Sequence, residues 1–229
     1  MAQINSLLKQ AIRTFTCRKD VFHQNLEILH AVLDKITADD VDLQPQFMKE
    51  SLWARPNKAP VTYIDIFEDS NVSLGIFILK PGMRLPLHDH PQMYGLIKVI
   101  AGTIKISSFS LKIEVQGKQT LPHTTRMESE SVIAEKNVDV IVDVNSEPCI
   151  LDPYKGNLHE IESVNGPAAF LDVLAPPYKI PITGNGPRIC TYYKVINEIE
   201  PHIFKLEKME APSWYWNDTF PYTGPSVIF

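Results

Sequence analysis

The chain has 229 residues, of which 44% are hydrophobic and 21% charged, as in a globular protein large enough to enclose a buried pocket. Its formal net charge of −5, with lysines and arginines scattered along the sequence, excludes a basic stripe that follows a phosphate backbone. Apolar runs such as 74–79 are far shorter than the roughly 18 residues that cross a bilayer. We therefore expect no nucleic-acid or membrane partner. The sequence leaves the oligomeric state open, with a monomer as the expectation.

The N-terminal segment, residues 1–40, is predicted to be helical. Apolar residues recur at helical spacing from Ile4 to about Ile36, which predicts two amphipathic helices packed outside the rest of the protein. The first nineteen residues contain four basic and no acidic residues, so mitochondrial targeting remains an alternative to a surface helix. Because no cleavage signal is evident and the three cysteines form no secreted framework, we expect a cytoplasmic protein.

Residues 41–229 are predicted to form one mainly β domain. Short β-rich runs alternate with turn residues and lack the long helices of a parallel sheet, which predicts an antiparallel barrel or jelly roll. The stretch Glu114–Glu135, within a wider insertion at 112–148, is predicted to be a long, partly mobile insertion whose role is open. We predict strands near 63–67, 72–79, 93–100, 103–108, 138–144, 159–163, 170–174 and 191–196.

Two histidines stand two residues apart in the segment that begins at Gly82. In an extended strand such residues face the same side, so His88 and His90 converge in a barrel while Asp89 faces away. A third imidazole is offered by His159, on another β-like segment after Gly156. Three histidines would hold a metal and leave room for further ligands. The competing interpretation, a hydrogen-bonded structural histidine, is preferred for His23, His30, His123 and His202.

The residues around these histidines resemble a known family. Gly82 to Gly102 is similar to the first cupin motif and Gly156 to His159 to the second. Tyr94 and Gly95 stand where many cupins have a ligating glutamate. Longer stretches resemble the cysteamine (2-aminoethanethiol) dioxygenase and plant cysteine oxidase family of cupin thiol dioxygenases: LPLHDHP (85–91), GNLH (156–159), FLDVLAPPY (170–178), CTYY (190–193) and PYTGP (221–225).

The resemblance implies a cupin double-stranded β-helix that binds Fe(II) through His88, His90 and His159. Both atoms of O2 would be added to the sulfur of cysteamine or of an N-terminal cysteine, giving a sulfinic acid. Affinity alone would also admit copper, zinc or nickel, so sequence does not identify the metal. Three neutral imidazoles leave the metal's double positive charge uncompensated, which favours an anionic thiolate.

The resemblance also singles out four residues beyond the ligands. Asp172 is expected to hydrogen-bond a ligand histidine or the substrate amine, with a structural hydrogen bond to a loop as the alternative. Tyr178 would place its hydroxyl at the pocket mouth, unless it only packs at an edge. Cys190 and Tyr192, two apart on one strand face, resemble a pair that forms a thioether cofactor in some relatives. An ordinary buried cysteine is the alternative.

Two other functions compete with this interpretation. An enzyme for free cysteine would need an arginine for the substrate carboxylate, and Arg84 has the same parity as His88 and His90. A non-catalytic cupin would use the metal structurally, although such sites usually close their coordination shell. The sequence leaves the choice between cysteamine and an N-terminal-cysteine peptide open.

Overall fold

The computed structural model describes residues 3–112, 131–182 and 186–227. The chain begins with two helices, α1 (Gln3–Thr16) and α2 (Phe22–Leu33), and a short helix α3 (Glu50–Trp53) precedes the first strand. Both long helices confirm the helical pattern read from the sequence. Among the described residues, no helix is long and apolar enough to cross a membrane.

The rest of the described chain is built mainly from strands. In chain order they are β1 (Val61–Glu68), β2 (Ser73–Leu79), β3 (Arg84–Asp89), β4 (Tyr94–Ala101), β5 (Thr103–Leu111), β6 (Ser131–Lys136), β7 (Val140–Asp143), β8 (Cys149–Leu151), β9 (Leu158–Ser163), β10 (Ala168–Ala175), β11 (Pro181–Ile182), β12 (Gly186–Pro187), β13 (Tyr192–Glu200), β14 (Ile203–Met209) and β15 (Asn217–Thr219).

Two large sheets face each other. The six-stranded sheet has the order β15-β1-β2-β10-β4-β8, and the seven-stranded sheet has the order β6-β14-β13-β3-β9-β5-β7. Except for the parallel pair β1 and β15, the pairings are antiparallel. Apolar residues from both sheets, among them Phe170 and Ile161, form a core between them. This arrangement confirms the predicted cupin barrel.

The helices cover the outer face of the six-stranded sheet. Alternate residues of β10 explain this: Leu171 and Val173 belong to a core shared with the helical residues Leu7 and Leu29, whereas Phe170 belongs to the core between the sheets. A strand buried on both faces is apolar almost throughout, as β10 is. Its one carboxylate, Asp172, shares the inward parity of Phe170.

The seven-stranded sheet also closes on itself, because β6 pairs with both β14 and β5. The ring encloses a small third core that includes Leu87, Phe109 and Leu206. The predicted mobile insertion spans 114–135, but residues 131–135 belong to β6. The prediction is therefore wrong for these five residues. Residues 113–130 lie outside the described part of the chain.

Each of the eight predicted strands corresponds to an observed one, namely β1, β2, β4, β5, β7, β9, β10 and β13. The division into residues 1–40 and 41–229 stays a prediction. β14 was missed because its buried residues Ile203 and Leu206 are three apart, opposite bulges in β13. Such bulges interrupt the strict alternation of buried and exposed residues along a strand.

Candidate metal centre

A bulge in β3 sets the direction of the first histidine. Leu85 lies opposite Ile161 and His88 lies opposite His159, so two residues of β3 face the single residue between those partners on β9. An extra residue in one strand shifts the alternation of its faces. Leu85 and His88 therefore both point into the barrel.

The three predicted ligands form one cluster. Nitrogen atoms of His88, His90 and His159 that could bind a metal lie within 4.8 Å of one another. The ring centroids are 4.7 to 4.8 Å apart, and Nε2 of His90 lies 3.1 Å from Nε2 of His159. Two nitrogens each about 2.1 Å from one ion at a right angle are about 3 Å apart. The cluster fits a metal site.

Hydrogen bonds on the far side of two rings fix which nitrogen faces the cluster. Nδ1 of His88 lies 2.8 Å from the backbone oxygen of Pro86. The Tyr178 hydroxyl donates to the backbone oxygen of Asp89 at 2.6 Å, and its oxygen lies 3.0 Å from Nδ1 of His90. A proton on each Nδ1 leaves Nε2 free to ligate.

Burial keeps the three imidazoles neutral. The pKa of His88 is lowered mainly by desolvation. The pKa values of His90 and His159 fall well below the ordinary value because these side chains, 2% and 4% exposed, lose their hydration and face other histidines. Neutral imidazole is the form that binds a metal.

Asp89, between the first two histidines, faces away from the cluster as predicted. Its carboxylate accepts hydrogen bonds from the backbone nitrogen of Thr191 at 2.8 Å and from the Tyr193 hydroxyl at 3.1 Å. The backbone nitrogen of His90 donates to the oxygen of Asn157 at 2.8 Å. The end of β3 is thus held from both sides.

The histidine cluster opens on a cavity of about 150 Å3, here called the inner cavity. Tyr192 lies opposite His88 where β13 pairs with β3. The wall is mostly aromatic and apolar, as expected of a small-molecule site. Its lining consists of Phe77, Leu85, Pro86, His88, Tyr178, Cys190, Tyr192 and Tyr215.

A wider depression of about 420 Å3, the outer cleft, adjoins the inner cavity. Phe77, Tyr178 and Tyr215 line both spaces. Asp172 lines the outer cleft, where a side chain on Gly75 would collide with the Tyr63 ring. Glycine at that position makes room for Tyr63 beside Asp172.

Asp172 is 8% exposed, and burial raises its pKa to about 7. The described part of the chain shows no hydrogen bond from Asp172 to a ligand histidine or to a loop. The predicted contact to a ligand histidine is therefore not formed, and the substrate amine remains as its proposed partner.

Tyr178 lies where inner cavity and outer cleft meet, which agrees with a position at the pocket mouth. Cys190 shares the wall of the inner cavity with Tyr178 and Tyr192, and burial raises its thiol pKa to about 11. The structure thus brings the sulfur and the Tyr192 side chain together on the cavity wall.

Arg84, which the free-cysteine alternative would need inside the barrel, does not point inward. The β3 bulge gives the inward position to Leu85 instead, and the guanidinium Nε of Arg84 lies 3.2 Å from the Glu160 carboxylate. The same guanidinium stacks over the ring of Trp214. No arginine lines the inner cavity as the described residues define it.

The other histidines lie apart from the cluster. His23 and His202 are exposed, and Nε2 of His30 lies 3.0 Å from the backbone oxygen of Pro148. His123 lies outside the described residues. Sequence reasoning missed Phe77 and Tyr215 in the cavity wall. No local signal marks either residue, because β2 is apolar on both faces and Tyr215 lies outside the strands.

Comparisons with known proteins agree with this geometry. A family model described as PCO_ADO matches residues 32–227. The chain is 37% identical over 231 residues to 2-aminoethanethiol dioxygenase from Homo sapiens, covering 90% of this chain and 83% of that protein. It is 28% identical over 218 residues to Plant cysteine oxidase 2 from Arabidopsis thaliana, covering 89% of this chain and 74% of that protein.

Proposed function

The chain belongs to the PCO_ADO family, and from this premise we propose that it is a non-haem iron(II) thiol dioxygenase. It adds both atoms of O2 to the sulfur of a thiol that carries an amine two carbons away, so that R–SH and O2 give R–SO2H. The observation that carries the proposal is the cluster of three neutral histidines opening on a small cavity.

His88, His90 and His159 would hold the iron. Bound iron(II) supplies the one-electron chemistry and lowers the pKa of the thiol, so that the sulfur binds as thiolate. Imidazole also suits zinc, copper and nickel, so the choice of iron rests on the reaction and the family. Because the ligands are neutral, the site retains a positive charge that attracts the thiolate.

The walls of the two connected spaces would orient the substrate. The inner cavity of about 150 Å3 fits the thiol and the two carbons that follow it. Asp172 would bind the substrate ammonium group, because no donor among the described residues forms a hydrogen bond with its carboxylate. Tyr178 lies at the junction of the two spaces, so the substrate amine would lie between Tyr178 and Asp172.

The outer cleft favours a peptide with N-terminal cysteine as substrate beside cysteamine. Its volume of about 420 Å3 exceeds what a four-heavy-atom aminothiol needs and lies in the range of ordinary ligand sites. Oxidation of cysteamine would yield hypotaurine. Oxidation of a protein's N-terminal cysteine to the sulfinic acid would mark that protein for degradation according to oxygen supply.

Two further features belong to the proposal. Cys190 and Tyr192 are neighbours on the cavity wall. We propose that the thiol and a ring C–H of Tyr192 each lose a hydrogen atom and join in a thioether, while O2 is reduced to hydrogen peroxide. We place the enzyme in the cytoplasm, since its three cysteines Cys17, Cys149 and Cys190 are all free thiols in the structure.

The test loads the anaerobically purified protein with Fe(II) and supplies cysteamine or a short N-terminal-cysteine peptide. We expect oxygen uptake and a mass gain of two oxygen atoms, both lost in His88→Ala and His159→Ala. His23→Ala, an exposed histidine on α2, is the matched control and should keep full activity. No oxygen uptake with either thiol, despite stoichiometric iron, would leave a metal-binding cupin without this activity.

A further inference from the structure

A second cavity, here called the lateral cavity, reaches the histidine cluster from another side. It has a volume of about 260 Å3 and is lined by His159 together with Ile97, Ile106, Val140, Cys149 and Leu151, among others. Among the described residues, none lines both this cavity and the inner cavity. His159 thus lines only the lateral cavity, whereas His88 of the same cluster lines only the inner cavity.

The strand order explains the separation. The inner cavity is walled by β2 of one sheet and by β3 and β13 of the other, whereas the lateral cavity lies between β4 and β8 of one sheet and β5, β7 and β9 of the other. Since β3 and β9 are neighbours and carry His88 and His159, the cluster stands between the two cavities.

The lateral cavity has a mostly apolar wall and an open rim. Ile97 and Ile106 are 5% and 6% exposed at its inner part, while Val140 and Val138 are 40% and 86% exposed at its outer part. Its described lining contains no lysine, arginine or carboxylate, and burial raises the pKa of the Cys149 thiol, which stays uncharged. Such a wall disfavours an ammonium or thiolate group.

We propose that the lateral cavity is a binding and entry site for dioxygen, separate from the path of the thiol. This inference rests on the proposed dioxygenase function, because the reaction consumes O2. Apart from Ser108 and the ligand His159, the side chains that line the lateral cavity are apolar, and a mostly apolar cavity binds small apolar molecules. A peptide in the outer cleft covers the other approach, so a separate route admits O2 while the thiol is bound.

The first experiment fills the rim of the cavity. Val140 lies opposite Ile106 and faces the cavity, whereas its neighbour Ile141 lies opposite Lys105 on the outer face. Val140→Trp should raise KM for O2 several-fold and leave KM for cysteamine unchanged. The matched control Ile141→Trp, also on exposed β7, should change neither constant. Equal KM for O2 in the two iron-loaded variants would overturn the proposal.

A second measurement does not depend on turnover. Crystals of the iron-loaded protein under xenon pressure should show xenon between Ile97 and Ile106, in the wild type and in Ile141→Trp but not in Val140→Trp. An empty lateral cavity in wild-type crystals would contradict the proposal. If no variant oxidises any thiol, the dioxygenase assignment fails, and xenon still decides whether the cavity takes an apolar gas. Val138→Trp at the exposed rim replaces Val140→Trp should the latter not fold.

Discussion

The two walls of the barrel that meet at the histidine cluster are built differently. On the metal wall, formed by β3, β9 and β13, three polar side chains have partners: Asp89 accepts two hydrogen bonds, and His88 and His90 each contact an oxygen through Nδ1. On the cleft wall, formed by β2 and β10, Asp172 is buried without a hydrogen-bond donor among the described residues.

The metal wall is therefore preorganised for its ligand, whereas the cleft wall carries a carboxylate that lacks a partner until a ligand binds. Partnered groups hold their geometry before a metal arrives, which reduces the reorganisation needed on binding. A buried carboxylate without a protein donor costs folding free energy and gains a strong partner when a cation enters the cleft. We therefore expect substitutions on the metal wall to weaken metal binding, and substitutions on the cleft wall to change stability and substrate preference.

The largest effect is expected at Asp89. Asp89→Ala removes the acceptor of both Thr191 and Tyr193 and frees the strand end that carries His88 and His90. Since partners that orient ligands typically account for about 10–100-fold in metal affinity, we expect a loss in that range for Fe(II). Competition with a chelator measures it.

Tyr193→Phe tests the same wall with a smaller change. It removes one of the two hydrogen bonds to Asp89 and keeps the buried ring, so its loss of iron affinity should lie between those of wild type and Asp89→Ala. If Asp89→Ala bound iron as tightly as the wild type, these hydrogen bonds would not be what holds the metal ligands in position.

A second prediction concerns the stability of the cleft wall. The folded-state pKa of Asp172, about 7, is above the unfolded value of about 3.9. The unfolded state therefore ionises first as pH rises, and the folded state loses relative stability between about pH 4 and pH 7, up to about 4 kcal/mol in total. Asp172→Asn avoids this loss.

Chemical denaturation of both proteins measures the effect. The advantage of Asp172→Asn should grow by about 2 kcal/mol from about pH 5.5 to about pH 8.5. Asp20→Asn, a change at an exposed carboxylate paired with Arg18, serves as the control. A pH-independent difference between Asp172→Asn and wild type would mean that Asp172 is not the strained group described here. In turnover, Asp172→Asn should raise KM for cysteamine.

Sequence patterns predicted the direction of the metal-site side chains but missed the contacts between residues that are far apart in the chain. The period-two pattern of His88 and His90, with Asp89 facing away, follows from strand geometry alone. The partners of Asp89 lie about a hundred residues further along, and nothing local indicates them. Phe77 escaped notice because β2 is apolar on both faces, which hides the face that points inward.

The smallest effect is expected at Arg84, where the β3 bulge reversed the parity read from the sequence. Its ion pair with Glu160 is partly exposed, with side chains 46% and 30% accessible, so Arg84→Gln should cost less than about 1 kcal/mol of unfolding free energy. Because the guanidinium lies outside the inner cavity, turnover of cysteamine and of free cysteine should stay in their wild-type ratio. A selective loss of free-cysteine turnover in Arg84→Gln would instead mean that the side chain reaches a substrate carboxylate, and that the bulge does not hold it outside the barrel.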